Sequence, residues 1–262
     1  MKKNRVALLI GAGAVENAWT PVIKAIKEFM HIETTPDGAN FIFANFIYML
    51  RIYAAMGDGE PRAPIMLDIS KRNTYFLKEA VAEHLRIAQE NNEIKARPAL
   101  KRILEKFVIS DDNDFGFATT NWDKTTDEII DQEVKRFGIT NPPTVFHIHG
   151  HMNDCNSLYL PSEFAEETFR TREESKKIGQ LHIEGFQFFM EATHIILYGI
   201  SLDPLDAELS QMLRSACNFD HLKEVTIINL ENEKHRVSER VRLLFFPRNR
   251  NIKVNFIDAS TI

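Results

Sequence analysis

Short, continuously apolar runs recur along the chain, and between most of them apolar positions return every three or four residues. Residues 6–10 are apolar throughout and run directly into Gly11, which predicts a strand buried on both faces. Similar, mostly apolar runs occupy residues 115–118, 145–148, 195–198, 225–228 and 254–257. Six such runs with helical patterns between most of them predict an α/β fold, a Rossmann-like and mostly parallel sheet with helices on both faces.

The first two runs lie about 100 residues apart, too far for one loop or one crossover helix. Residues 41–56, 75–89 and 98–108 carry apolar side chains at helical spacing. The reading is a single domain over residues 1–262 with a helical insertion at about 22–110, broken by a loop at 57–61. A smaller helical segment is expected at about 161–189, capped by Ser162 with Glu163, Glu166 and Glu167 in its first turns. No internal repeat or low-complexity segment is evident.

Composition narrows the function classes. A length of 262 residues, 44% hydrophobic and 26% charged, suits a soluble globular protein rather than a disordered one. With 37 acidic against 32 basic residues the net charge is -5, which gives no electrostatic reason to expect nucleic acid. The basic group Lys101, Arg102 and Lys106 reads as a solvated helix face. Cys155 and Cys217 have no CxxC spacing, so neither a thiolate zinc site nor a disulfide framework is supported, and cytoplasmic residence is expected. The basic start of the chain precedes only a short apolar run, and no stretch approaches the roughly 18 uninterrupted apolar residues of a membrane span.

The polar residues that follow the apolar runs carry the candidate chemistry, because open α/β sheets bind ligands at their carboxyl edge. Gly11, Ala12 and Gly13 allow close approach of backbone to a ligand, and a helix after them would point free amides at a phosphate; Glu16 stands where a third glycine would complete the fingerprint. Thr119, Thr120, Asn121 and Asp123 sit beyond the second run. An amide such as Asn121 can orient a ribose hydroxyl or a water without adding charge, while Asn121 or Asp123 could equally cap the helix expected at 125–134. His147, His149 and His151 alternate, and a continuing strand would place all three on one face. Metal ligation, a structural strand end, and acid/base or ribose contact all remain open for them. Gly199 and Ser201 lack the last glycine of a nucleophile motif, since Asp203 replaces it, so Ser201 reads as a phosphate or ribose donor. Asn229 is a candidate ribose contact or a simple turn residue.

In order, Gly11-Ala12-Gly13-Ala14, Thr120-Asn121-Trp122-Asp123, His149-Gly150, Gly199-Ile200-Ser201-Leu202 and Ile228-Asn229 resemble the motif series of the sirtuin superfamily. Thr119-Thr120-Asn121-Trp122-Asp123 and the stretch from Tyr198 to Asp206 are similar to forms found in its bacterial antiphage-defence branch, which includes Thoeris-type NAD hydrolases. The chain departs from protein deacylases in lacking the paired-cysteine zinc ribbon and the stretch after the glycine loop, where Val15-Glu16-Asn17-Ala18 stands instead.

The resemblance implies an NAD+ glycohydrolase that yields nicotinamide and ADP-ribose without a metal, with NAD+ as substrate and NAD+ depletion in antiphage defence as its role. Asn121 would hold the nicotinamide ribose and attacking water, and His149 would be the general base or ribose-hydroxyl partner. Gly11, Ala12, Gly13 and Ser201 would hold the diphosphate, with Thr120 and Gly199 as further cofactor-binding residues. Asn229 would contact the adenosine ribose, and Asp123 would orient rather than attack. It further implies a homo-oligomer or a partner subunit that controls activity. The alternatives are a non-catalytic NAD+ or ADP-ribose sensor, and an ADP-ribosyltransferase or deacylase.

Overall fold

The computed structural model describes residues 4–110, 112–139, 141, 143–218, 220–246 and 251–262. In chain order its elements are β1 (Asn4–Ile10), β2 (Val15–Glu16), α1 (Thr20–Met30), α2 (Pro36–Met56), α3 (Ala63–Glu90), β3 (Lys95–Ala96), α4 (Ala99–Ile103) and β4 (Asn113–Thr119). There follow α5 (Thr125–Arg136), β5 (Phe146–His147), α6 (Arg172–Met190), β6 (His194–Tyr198), α7 (Ala207–Ser215), β7 (Glu224–Asn229), α8 (Lys234–Phe245) and β8 (Lys253–Asp258). A π-helical turn, Leu104–Val108, continues α4.

All six apolar runs lie in one sheet of order β5-β4-β1-β6-β7-β8, and every neighbouring pair is parallel. The chain builds outward from β1 to β5, then returns to the other side of β1 and builds out to β8. Strand order therefore reverses at β1 and β6, where Ile10 is level with both Thr119 and Tyr198. Such a reversal opens a crevice at the carboxyl ends of the strands.

Alternation along β1 divides its side chains between two layers. Ala7 and Leu9 pack with Phe189, Met212, Leu213, Val237 and Phe245 from α6, α7 and α8. Val6, Leu8 and Ile10 pack with Leu100, Ile103, Ile130 and Val134 from α4 and α5. Helices thus cover both faces, which is why the central strands can be apolar throughout.

The insertion has a core of its own, in which Val22 and Ile26 of α1, Phe43 and Ile47 of α2, and Leu77 and Val81 of α3 pack with Leu160 and Phe169. Its ends are tied by β2 and β3, antiparallel with Val15 opposite Ala96. Helix α2 begins with Thr35 accepting from Gly38 N at 3.2 Å and Pro36 in the first turn. By length and composition α2 could cross a membrane, with a mean hydropathy of 1.3 over 18 residues of which 22% are buried. Asp37 and Arg51 interrupt its apolar run, which hides it from a count of uninterrupted positions.

The segment expected to be helical from 161 is irregular to Thr171. Ser162 takes a left-handed φ of 73° and does not cap. Helix α6 starts at Arg172 under a capping box, with Thr171 Oγ1 accepting from Glu174 N and Glu174 Oε2 accepting from Thr171 N at 2.7 Å. Tertiary pairing overrides local propensity here. Glu163 is buried against Lys78 at 2.9 Å and Arg170 at 3.2 Å, and Glu167 is buried against Arg51 at 2.5 Å. Arg51 and Lys78 come from α2 and α3, so these carboxylates fasten the irregular stretch to the insertion.

Candidate active site

A cavity of about 390 Å³ opens where β1, β4, β6 and β7 end, within the span of about 300–1,000 Å³ usual for small-molecule sites. The structure brings Gly11, Ala12, Gly13, Thr120, Asn121, Asp123, His149, Gly199, Ser201 and Asn229 to its walls. Val22, Asp37, Asn40 and Leu85 of the insertion also line it, with Trp19 just ahead of α1.

The glycine loops serve each other before they serve a ligand. A Cβ on Gly199, whose φ is +64°, would lie 2.4 Å from Ala14 N, and one on Gly13 would lie 2.9 Å from Gly199 Cα. Gly11 N donates to Tyr198 O, Gly13 N to Gly199 O, and Ala14 N to Gly11 O. The expected helix of free amides after the loop is absent, replaced by a 3-10 turn Ala12–Ala14 and then β2. Of the amides of Gly11, Ala12 and Gly13, those of Gly11 and Gly13 are engaged within the fold. Arg97 closes the loop from outside, donating from Nε to Gly13 O and from its main-chain N to Ala14 O.

Asn229 has a similar double duty. Its Nδ2 donates to Ile200 O at 3.1 Å, and its Oδ1 accepts from Leu230 N, so it shapes the loop on which Ser201 sits. Ser201 is exposed at the cavity wall, and its carbonyl accepts from Arg240 Nη1 at 2.8 Å.

At the end of β4, Thr119 Oγ1 donates to Ile10 O and accepts from Asn121 N, which pins the turn. His147 Nδ1 bonds Asn121 O at 3.0 Å, and His147 Nε2 meets Asp127 at 2.9 Å. The Asn121 side chain is then left over, for its Nδ2 is buried and has no hydrogen-bond partner among the described residues. Trp122 packs edge-on against Phe43 at 6.0 Å, joining this turn to the insertion core. Asp123 is 3% exposed, and its Oδ1 accepts from Thr125 N just ahead of α5. Burial raises its carboxyl above the ordinary range despite the bonds from Thr125. Asp123, not Asn121, makes the helix-entry bond.

The three alternating histidines do not share a face. Strand β5 ends at His147, and Gly150 turns the chain with a φ of 75°, its missing side chain leaving room for Ser157 O. His147 and His151 meet at 4.8 Å. His151 is lowered to about 4 by burial and by the nearby charges of His147 and Lys124, so it is neutral, and its Nδ1 accepts from Asn153 N. His149 turns the other way. Its Nε2 is 3.3 Å from Asp206 Oδ1, and its ring stacks on Tyr159 at 5.7 Å and 21°. Burial disfavours the charged imidazole, yet the charge and hydrogen bond of Asp206, with Glu163 and Glu208 farther out, prevail and raise its pKa above 6.5.

Among the cavity residues to which the sequence assigned no role are Asp206 and Tyr159. Asp206 belongs to the stretch after β6 but carries no mark of its partner, which lies 57 positions earlier in the chain. Tyr159 lies in an irregular stretch with no pattern. Among the described residues no group of three His, Cys, Asp or Glu side chains is placed to hold a metal ion.

No family model matches the chain, and no curated protein matches it. Among solved structures, one described as "Structural Basis for the Mechanism and Regulation of Sir2 Enzymes" aligns over 92% of this chain and 94% of its own, with 16% identity and a TM-score of 0.38. No residue role rests on a likeness at that level.

Proposed function

We propose that this protein hydrolyses NAD+ at the nicotinamide–ribose bond, giving nicotinamide and ADP-ribose. The observation that carries the reading is the pairing, in the walls of one cavity at the strand-order reversal, of an unpartnered buried amide with a carboxylate-backed imidazole. The ordered motif resemblance supplies the substrate.

The chemistry asks little of the protein beyond placement. Nicotinamide leaves with the electron pair of the C–N bond and its ring charge is neutralised, while the ribose passes through an oxocarbenium-like state. Water then bonds to the anomeric carbon and gives up a proton. Asn121 lies in the cavity wall, and its side-chain oxygen, which unlike Nδ2 is not among the sealed buried atoms, is suited to hold the ribose hydroxyl or that water. His149 is suited to take the proton. Ala12 and Ser201 are the groups of the glycine loops best free to meet the diphosphate. The cellular consequence we propose is NAD+ depletion in antiphage defence, under the control of a partner subunit or of self-association, in the cytoplasm.

The test is chromatography of NAD+ incubated with the purified chain, with and without the products of neighbouring genes. Nicotinamide and ADP-ribose in equal amounts are expected. Binding without turnover would make the chain a sensor, and nicotinamide release only with a protein acceptor would make it a transferase.

A further inference from the structure

Asp206 does two things at once. Its Oδ1 accepts from Leu209 N at 3.3 Å as the cap of α7. The same carboxylate stands 3.3 Å from His149 Nε2, with the two side chains 18% and 14% exposed. Asn or Ser would cap about as well as Asp; what the carboxylate adds beyond the cap is its charge beside the imidazole.

The ring is fixed in this relation. Tyr159 stacks on it and is itself held by its hydroxyl, which donates to Glu163 O at 2.6 Å. His149 Nδ1 makes no hydrogen bond among the described residues and is not one of the sealed, unpartnered buried atoms. Of the two ring nitrogens it is the one with no carboxylate beside it, on a side chain that lines the cavity.

We propose that Asp206 is a positioning residue for the reaction: it keeps a proton on His149 Nε2 and so makes Nδ1 the nitrogen that accepts the proton of the attacking water. The inference rests on the hydrolytic reading of the site. The water oxygen bonds to the anomeric carbon, its proton passes to Nδ1, and the imidazolium so formed faces Asp206 until the proton returns to solvent. A carboxylate that holds one tautomer and stabilises the charged ring is a recurrent way of making histidine a competent base. The other charged groups around His149 are Glu208 from α7 and Glu163 from the irregular stretch, both acting in the same sense as Asp206. Arg170 at 3.2 Å and Lys78 at 2.9 Å pair with Glu163, and His182 at 2.7 Å pairs with Glu208, while Arg170 and His182 also lie against the Tyr159 ring.

The experiment compares the whole chain with Asp206→Asn, which retains a cap oxygen, by nitrogen-15 NMR of labelled histidine across pH and by the pH profile of NAD+ cleavage. In the parent, His149 should titrate above 6.5 with its neutral form protonated at Nε2. In Asp206→Asn its titration and the acid limb of the rate profile should both move down by about one pH unit or more. If Asp206 served only as a cap, Asp206→Asn would leave the titration, the rate profile and the melting temperature in place. Identical His149 titration in parent and variant, or a neutral form protonated at Nδ1 in the parent, overturns the proposal even if NAD+ is cleaved. The expected titrations in a chain that cleaves nothing would instead overturn hydrolysis and leave the dyad standing. If Asp206→Asn does not fold, Asp206→Ser supplies the cap oxygen and the same comparison.

Discussion

Replacing Asn121 with leucine separates what this amide does for the fold from what it does for a ligand. The residue is 6% exposed, and its Nδ2 is buried without a partner among the described residues. Leaving a buried donor unpaired costs about 1–3 kcal/mol relative to an apolar group of the same shape. Leucine keeps a γ carbon with two branches and removes the donor. The bonds that hold the turn, from Asn121 N to Thr119 Oγ1 and from His147 Nδ1 to Asn121 O, involve the main chain and survive. Asn121→Leu should therefore gain about 1–2 kcal/mol of stability. At about 2–4 °C per kcal/mol for a chain of this size, its melting temperature should rise by about 2–8 °C. NAD+ cleavage should fall at least about 100-fold, as misplaced reactants do. Asn121→Ala should lose cleavage as fully without the gain, because it leaves a void. Calorimetry and turnover in one buffer read both quantities. A leucine variant melting more than about 4 °C below the parent would refute the idea that the fold leaves Nδ2 unsatisfied, and retained turnover would remove Asn121 from the chemistry.

His149→Gln should cut turnover by about 100-fold or more, the usual range for loss of a general base, whereas His151→Gln should cost little and His147→Gln should act mainly on stability by freeing Asn121 O and Asp127; equal losses in all three would contradict this division. Asp123→Asn keeps the acceptor for Thr125 N, and because burial raises the Asp123 carboxyl, the parent loses stability as pH rises from 3.8 through that raised value. The asparagine variant should accordingly be the more stable of the two near neutral pH and lose this advantage below pH 3.8 in denaturant titrations; an equal margin at every pH would be inconsistent with a charge-burial origin. Chelators should change neither the melting temperature nor the turnover, and stoichiometric metal released with loss of activity would reopen the histidine cluster as a ligand set.

The strands were legible because a parallel strand covered on both faces is written as a nearly unbroken apolar run, and β1, β4, β6 and β7, the last interrupted by Thr226, are such strands. The pair β2 and β3 was not legible, since two residues carry no period. Ser162 and Thr171 are equally good caps by local chemistry; what decides between them is the demand of Arg51 and Lys78 for Glu167 and Glu163, made from 116 and 85 positions away. The histidine alternation misled because period-two reasoning holds only while the strand lasts, and β5 stops at His147. Among the site residues, those on strand ends could be found from position alone. Asp206 stood at the end of a recognisable stretch, but its role was not legible, because it depends on a ring that only the folded chain brings beside it.

Gly11, Gly13 and Gly199 meet main chain to main chain across the two central strands, and this bears on how such a protein can be recombined. A side chain added at Gly13 or Gly199 collides chiefly with backbone, which no second substitution can trim. The loops after β1 and β6 are thus a lock and key with no spare tolerance on either half. A hybrid that takes its N-terminal part from one parent and its C-terminal part from another should fold when both parents carry glycine at all three points, and should fail when either has changed one. The crossover site in such a hybrid matters less than whether the two loops come from compatible lineages.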